Sequence, residues 1–147
     1  MSTSEPFSAL RSLLNSRYVG VLATTNGTQP YPALVGYATS RDIKELTFAT
    51  PRQTRKYAHL QSNPEVAMLF DDRSNDAADI MNAVAATAIG RAAELHGNQR
   101  DAYLQAYVAR HPDLCDFARA TSTALFRIQV HKYILVRRFQ NVIEIVP

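Results

Sequence analysis

Short blocks of apolar and β-branched residues alternate with turn-forming residues along most of the chain, which predicts many short strands. Asn26-Gly27 is the strongest hairpin signal, because both residues tolerate a positive φ. The return strand begins with Pro30 and Pro32, which donate no ladder hydrogen bond, so its beginning should lie at an edge or a bulge. The predicted strands cover residues 18–25, 30–39, 45–50, 66–70, 82–95 and parts of 124–146.

Fewer segments carry helical spacing or helix-end signals. The predicted helices are one capped by Ser4 with an apolar face of Phe7, Leu10, Leu13 and Leu14, one from Pro51 or Thr54 to Ser62, one over Asn98–Arg110, and a short one around Leu114–Ala118. Residues 82–95 are rich in alanine, which favours helices, but we interpret them as a strand. Residues 71–79 are a polar loop, and the whole pattern indicates a small β-barrel decorated by helices.

Three cations crowd the start of the second predicted helix. Arg52, Arg55 and Lys56 have the spacing i, i+3 and i+4, at which like charges repel by roughly 0.2–0.5 kcal/mol per pair. The amino end of a helix also carries a partial positive charge, and no acidic residue in this turn relieves it. A bound phosphate would reverse the sign of these terms, since it accepts backbone N–H groups and charge-assisted hydrogen bonds. The alternative is a solvated cationic patch.

Composition and charge narrow the class of protein. A length of 147 residues predicts a single domain over 1–147, and one cysteine, Cys115, excludes an internal disulfide. No apolar run is long enough to cross a membrane, and the polar, acidic start is unlike a secretory signal, so we expect a cytoplasmic protein without membrane contact. The net charge of only +3 argues against nucleic acid as a partner. A nucleic-acid-binding barrel would use Arg52, Arg55, Lys56, Arg137 and Arg138.

The histidines and the cysteine suggest no further chemistry. The four histidines, His59, His96, His111 and His131, lack the spacing of metal ligands, so we predict no metal site. His59 is expected on the exposed side of its helix and His131 in a strand turn. Cys115 is interpreted as a small buried hydrophobic residue.

Two segments, LTFATPRQTRKYAHLQSNPEVAMLF and AIGRAAEL, together resemble the core of the pyridoxamine 5′-phosphate oxidase-like, FMN-binding split-barrel family. The resemblance runs from the first strand to about Leu95, with a weaker echo in the last strands. It implies a mainly β fold, a six- to seven-stranded antiparallel split β-barrel with peripheral helices. It also implies a homodimer that holds FMN in grooves at the subunit interface.

The resemblance assigns cofactor contacts to residues of this chain. Thr54, Arg55 and Lys56 match the family's phosphate-binding triplet, and Ala49 and Thr50 match residues that meet the FMN. The backbone of Ala33, Leu34, Val35 and Gly36 would meet the polar edge of the flavin ring. Arg73, Ser74 and Asn75 would reach the flavin or the partner subunit, or else form a plain surface loop. Residues 137–140 resemble the family's last hairpin, or are an exposed strand end with one buried aromatic, Phe139.

The implied function is that of an FMN-dependent oxidoreductase, which exchanges hydride between flavin N5 and a small organic substrate or nicotinamide. The alternative is a non-catalytic flavin or haem binder that acts as a carrier or sensor. Positions that hold Arg, Lys and Gln in the oxidase itself hold Pro32, Tyr37 and Ala85 here. The chain therefore resembles a short, oxidase-related member, and no general acid or base is assigned.

Overall fold

The computed structural model describes residues 4–147 and contains seven strands. Each strand coincides with a predicted segment of β-branched or alternating residues. The strands are β1 (Val19–Thr25), β2 (Pro30–Thr39), β3 (Glu45–Pro51), β4 (Glu65–Asp71), β5 (Ala85–Glu94), β6 (Thr123–Arg137) and β7 (Asn141–Ile145). The alanine-rich segment is confirmed as strand β5, and its small side chains Ala86 and Ala88 face a core in which both are about 1% exposed.

The helices lie outside the strands in the chain order that the sequence predicts, with one addition. They are α1 (Glu5–Ser16), α2 (Arg55–Ser62), α3 (Asp79–Asn82), α4 (Gly97–Arg110) and α5 (Cys115–Arg119), with a 3₁₀ turn over Pro112–Leu114. The short helix α3 begins at the last residue of the segment predicted as loop. None of the helices among residues 4–147 combines the length and the apolar character that a membrane span requires.

The seven strands form one antiparallel sheet in the order β3-β2-β1-β4-β5-β6-β7, and β3 also pairs with β6. This last pairing closes strands β1 to β6 into a barrel. The 15-residue strand β6 makes closure possible because its first seven residues pair with β3 on one edge while its residues 126–136 pair with β5 on the other; its last five residues also pair with β7. The predicted fold class, a mainly β antiparallel barrel with peripheral helices, is confirmed.

The barrel is split between β2 and β3. Only Tyr37–Thr39 of β2 pair with β3, while Pro30–Gly36 pair with β1 alone. The end of β3, Ala49–Pro51, stays paired with β6. The two prolines of β2 thus lie on an edge, as their missing N–H groups predict. The carboxyl-terminal end of β3 diverges from this edge and leads directly into α2.

Two apolar clusters hold the barrel and its helices together. The interior contains Phe48 and Phe126, whose rings stack with their centroids 5.3 Å apart, and α1 covers it with Leu10 and Leu14, both 0% exposed. A smaller cluster on the outside joins Leu104 and Tyr107 of α4 to the outward side chains of β2, β3 and β6. The second cluster fixes α4 across the β2–β3 split.

The β5–β6 ladder contains an irregularity that corrects the prediction for His131. Ile89 pairs with Lys132 and Gly90 pairs with Val130, so His131 is the extra residue of a β-bulge. It is exposed within a continuous strand rather than in a strand turn. A bulge keeps the strand running, so the strand-forming residues on both sides continue without a turn. Phe139, which one of the two interpretations of residues 137–140 expected to be buried, is 47% exposed because it lies in the β6–β7 turn, with φ 48°.

Three buried tyrosines make the stability of the fold sensitive to alkaline pH. Burial raises the pKa of Tyr37 and of Tyr107 to about 12 each, and it also raises that of Tyr133. Tyrosine in an unfolded chain ionises near pH 10, so the stabilisation is complete below pH 10 and is lost as pH rises towards 12. We expect the free energy of unfolding to fall across this window by about 1.4 kcal/mol per pH unit for each tyrosine.

Urea unfolding at pH 9 and pH 11 measures this fall. The Tyr107→Phe variant should show a shallower decline, because one of the three titrating hydroxyls is gone. A free energy of unfolding that does not change between the two pH values would contradict the burial of these hydroxyls.

Candidate functional site

Two threonines at the β3–α2 junction fix where α2 begins. Thr54 is the amino-terminal cap, and its hydroxyl accepts a hydrogen bond from the backbone N–H of Tyr57 at 3.2 Å. Thr50, which is 0% exposed, lies with its Oγ1 3.1 Å from Oγ1 of Thr54. Of the two predicted starts, the one at Thr54 is therefore observed, and Pro51 ends β3 instead. Arg55 and Lys56 become the first two helical residues.

Arg55 and Lys56 carry charges that no acidic group in the described part of the chain neutralises. Among residues 4–147, neither forms an ion pair within 4.0 Å. Arg55 lies over the ring of Tyr31, with its Cζ 5.2 Å from the ring centroid. Partial burial lowers the pKa of Lys56, because the ammonium has lost part of its hydration. An anion bound at this helix end would form charge-assisted hydrogen bonds with both cations, in place of the hydrogen bonds that they otherwise form with water.

His59 lies buried between α2 and the sheet, where it contacts Tyr31. This position corrects the expectation that His59 is exposed. It is 8% exposed, its Nδ1 lies 3.0 Å from Oγ1 of Thr24, and its ring packs edge-on against Tyr31 at 5.8 Å. Helix α2 packs against β1, so the face with His59 turns towards the sheet. Tyr31 is thereby held between a buried histidine and the guanidinium of Arg55.

Arg52, the third cation of the predicted cluster, is neutralised. Its Nη2 lies 2.8 Å from Oε2 of Glu94, and Oε1 of the same carboxylate accepts a hydrogen bond from the Tyr57 hydroxyl at 2.9 Å. Glu94 comes from β5, 42 residues further along the chain, so it is invisible to an argument from local spacing. Of the three clustered cations, only Arg55 and Lys56 therefore remain without an acidic partner among the described residues.

This pairing predicts different effects for the cations. Replacing Arg52 by glutamine should leave the affinity for a phosphate-containing ligand within about twofold, because its charge already serves Glu94. The same change at Arg55 should weaken binding by at least about tenfold. Equilibrium titration of both variants with FMN measures the difference. Equal losses at the two positions would show that Arg52 also contacts the ligand.

The strand segment Ala33–Gly36 presents a backbone edge beside this helix start. Its β3-facing side has no strand partner among the described residues. At the closed end of the split, the Tyr107 hydroxyl donates to the carbonyl oxygen of Gly36 at 3.1 Å and lies beside the N–H of Ala49. Tyr107 therefore marks where the split closes. The remaining edge is available to a ligand that offers polar atoms in one plane.

The predicted residues of the β4–β5 loop lie elsewhere. Arg73 and Asn75 line a cavity of about 610 Å³ with Leu34, at the Val19 end of β1. Arg55 lies near Tyr31, which pairs with Thr24 at the other end of β1. The cavity and Arg55 therefore lie near opposite ends of β1, which are five residues or roughly 17 Å apart along the strand. The structure thus divides the predicted residues into a phosphate-type group at α2 and a second group at this cavity, and Leu34 lies between them. Ser74 is exposed in the same loop.

Several residues of the site carried no readable signal in the sequence. Tyr31, Tyr107 and Glu94 reach the site from β2, α4 and β5. Tyr31 stands between two prolines, an unusual place for a strand aromatic, and this is the one local hint. Tyr107 fits the apolar face of α4 so well that helix packing explains it fully.

The cations proposed for nucleic-acid binding do not form one stripe. Arg137, at the end of β6, donates to the carboxylate of Glu5 in a bidentate pair. Arg52 lies near the opposite end of the same 15-residue strand, roughly 45 Å away along the chain. Among residues 4–147 there is also no group of three or more His, Cys, Asp or Glu side chains suited to a metal ion.

Comparison with known proteins places this geometry in context. A family model described as pyridoxamine 5′-phosphate oxidase matches residues 7–137. No curated protein matches the sequence.

Solved structures share the fold at low sequence identity. A haem-binding protein from Mycobacterium smegmatis aligns with a TM-score of 0.82 and 15% identity over 92% of this chain and 55% of that chain. ChuZ from Campylobacter jejuni aligns with a TM-score of 0.84 and 14% identity over 99% of this chain and 61% of that one. A FAD-binding protein from Mesorhizobium loti aligns with a TM-score of 0.64 and 22% identity over 83% of this chain and 87% of that chain. The chain therefore spans little more than half of the first of these proteins.

Proposed function

We propose that this chain, which belongs to the pyridoxamine 5′-phosphate oxidase family, is an FMN-binding flavoprotein that acts as an oxidoreductase on a small organic substrate or nicotinamide. The observation that carries the proposal is the pair of unneutralised cations, Arg55 and Lys56, at a helix start beside an unpaired strand edge. A phosphate ester of a planar, polar-edged ring has the chemistry to fit both features.

The residues at the β3–α2 junction would hold the phosphate. Arg55 and Lys56 supply charge, and the backbone N–H groups of the first turn of α2 supply further donors. Thr50 and Thr54 place two hydroxyls 3.1 Å apart at the same point. Tyr31 limits the freedom of the Arg55 side chain, so less entropy is lost when the guanidinium binds.

The β2 edge would orient the ring. Backbone groups alternate between the two edges of a strand, so within Ala33–Gly36 those of Leu34 and Gly36 face the split, where they can pair with the polar atoms of a flavin. Bound flavin supplies hydride exchange at its N5. The chain's part is to bind the flavin, to orient it and to exclude water.

A second copy of the chain would complete the site. The outer face of the β2-β1-β4 sheet is apolar at Leu34, Val21 and Leu69, which pair in one row across the three strands. Leu34 is 69% exposed and the neighbouring Val19 is 49% exposed. Exposed apolar surface of this kind marks an interaction site. We therefore propose a homodimer across this face, with the flavin at its border.

Purification and anaerobic titration test these assignments. The purified protein should be yellow or bind FMN with quenching of flavin fluorescence, and NADH or NADPH should bleach the bound flavin at a catalytic rate. Sedimentation should give about twice the chain mass of 16.4 kDa. Slow or absent bleaching would favour a carrier, and a monomer with full flavin occupancy would overturn the dimer.

A haem-binding carrier or sensor is the second candidate, favoured by the haem-binding protein that shares the fold. Titration with haem and with FMN separates the two candidates. An intense Soret band that forms at stoichiometric haem, together with no affinity for FMN, would favour the haem binder. An Arg55-dependent affinity for FMN would favour the flavoprotein.

A further inference from the structure

The cavity at the Val19 end of β1 has a floor of apolar side chains. We call it the Leu34 groove, and its lining includes Arg17, Val21, Leu34, Leu69, Asp71 and Arg73. Val21 pairs with both Leu34 and Leu69, so their side chains form one row on the outer face of the sheet. The volume of about 610 Å³ is in the range of sites for small organic ligands.

Two arginines form the polar wall of the groove. Arg73 donates from Nε and Nη2 to the two oxygens of Asp71, both at 2.6 Å. Its Nη1 is left as a donor for a ligand. Arg17, whose Nε is itself buried, forms no ion pair within 4.0 Å among residues 4–147. The groove therefore contains donor groups that the fold itself does not use. A ligand with acceptor oxygens would satisfy them.

The charge balance of the wall selects the kind of anion. The ionised groups are Arg17, Arg73 and Asp71, which sum to one net positive charge. The guanidinium of Arg73 holds the pKa of Asp71 below its usual range, so this carboxylate stays ionised. A bound carboxylate would leave the wall neutral, whereas a phosphate dianion would leave one negative charge uncompensated in a partly buried site. Bidentate geometry also suits a carboxylate to a guanidinium.

The fold holds both arginines in place before any ligand binds. The Asp79 carboxylate accepts backbone hydrogen bonds from Ser74 and Asp76 at 3.0–3.2 Å, which orders the loop that carries Arg73. On the other side, Arg110 donates to the carbonyl oxygen of Arg17 at 2.7 Å and lies 4.0 Å over the neighbouring Tyr18 ring. An ordered wall loses little entropy on binding.

We propose that the Leu34 groove binds a small, largely apolar carboxylic acid, with its carboxylate on Arg17 and Arg73 and its apolar body on the sheet, and that this acid is the substrate. The role as substrate rests on the proposed flavin-dependent activity, whereas binding does not. Leu34 belongs to the same strand edge that would orient the flavin ring, so an acid in this groove lies beside the ring. A second copy on the outer face would cover it.

Isothermal titration calorimetry with 2-naphthoate tests the groove. The purified protein should bind 2-naphthoate at least about tenfold more tightly than the uncharged 2-naphthamide, since a charge-assisted hydrogen bond is worth that much. Arg17→Gln with Arg73→Gln should remove this preference, and Arg41→Gln, a change in an exposed turn, should keep it. If the double variant fails to fold, the single changes Arg17→Gln and Arg73→Gln should each reduce the preference for the acid.

The outcomes separate the groove from the proposed function. Absent binding of 2-naphthoate to the wild-type protein, or equal binding of acid and amide, would overturn the groove even where FMN binds. Arginine-dependent binding of 2-naphthoate to a protein without affinity for FMN would leave the groove as an anion site and remove its role for a flavin substrate.

Discussion

Replacing Arg55 and Lys56 together by alanine is expected to weaken the binding of FMN by roughly 3–6 kcal/mol, which is more than about a hundredfold in Kd. Each side chain would donate charge-assisted hydrogen bonds to the phosphate, worth about 1.5–3 kcal/mol apiece. Neither cation has an ion-pair partner among residues 4–147 to lose, so the variant should fold as the wild type does. Removing two charges from the helix start even relieves repulsion with its partial positive charge.

Fluorescence titration with FMN measures the loss, and a second Arg and Lys pair provides the control. Arg41→Ala with Lys44→Ala removes the same two charges from an exposed turn between β2 and β3. Its affinity for FMN should stay within about twofold of the wild-type value, apart from a small long-range term that salt screens. A double variant of Arg55 and Lys56 that keeps its flavin through dialysis would place the phosphate elsewhere.

Local patterns predicted most of the fold because each strand and helix carries its own signal. The hairpin at Asn26-Gly27, the cap Thr54 and the break at Asn63-Pro64 act over a few residues, and the structure has all three. Helix α3 was missed because its four residues are too few for a periodic pattern. The burial of His59 was missed because two faces of a short polar helix differ little in composition, and packing against β1 chooses between them.

Contacts between residues that are distant in sequence are the part of the site that the sequence did not predict. The spacing of Arg52, Arg55 and Lys56 indicated an anion site, yet only closure of the barrel brings Glu94 to Arg52. The sequence predicted Leu34, Arg73 and Asn75 as flavin contacts, but not the groove that they form with Arg17. Arg17 and Arg73 are 56 residues apart, and Arg17 by itself looks like an ordinary surface cation. The sequence alone can therefore identify a charged helix end, whereas a site built from several strands can be identified only when the sheet topology is known.

Gly90→Ala is expected to destabilise the fold by about 3 kcal/mol or more, the upper part of the range for overpacking. A Cβ at this position would lie 2.2 Å from the carbonyl oxygen of Gln129 and 3.0 Å from its carbonyl carbon. Both are backbone atoms, so no change of rotamer relieves the contact and the β5–β6 ladder itself must shift. Gly90 adjoins the bulge at His131, and β5–β6 is the longest ladder of the barrel.

Urea unfolding compares this variant with Gly97→Ala. Gly97 also lacks a side chain but has open space around it, and its φ of 59° makes alanine there cost only about 1 kcal/mol. The midpoint should therefore fall much further for Gly90→Ala than for Gly97→Ala. Equal midpoints would mean that β5 and β6 separate easily at the bulge.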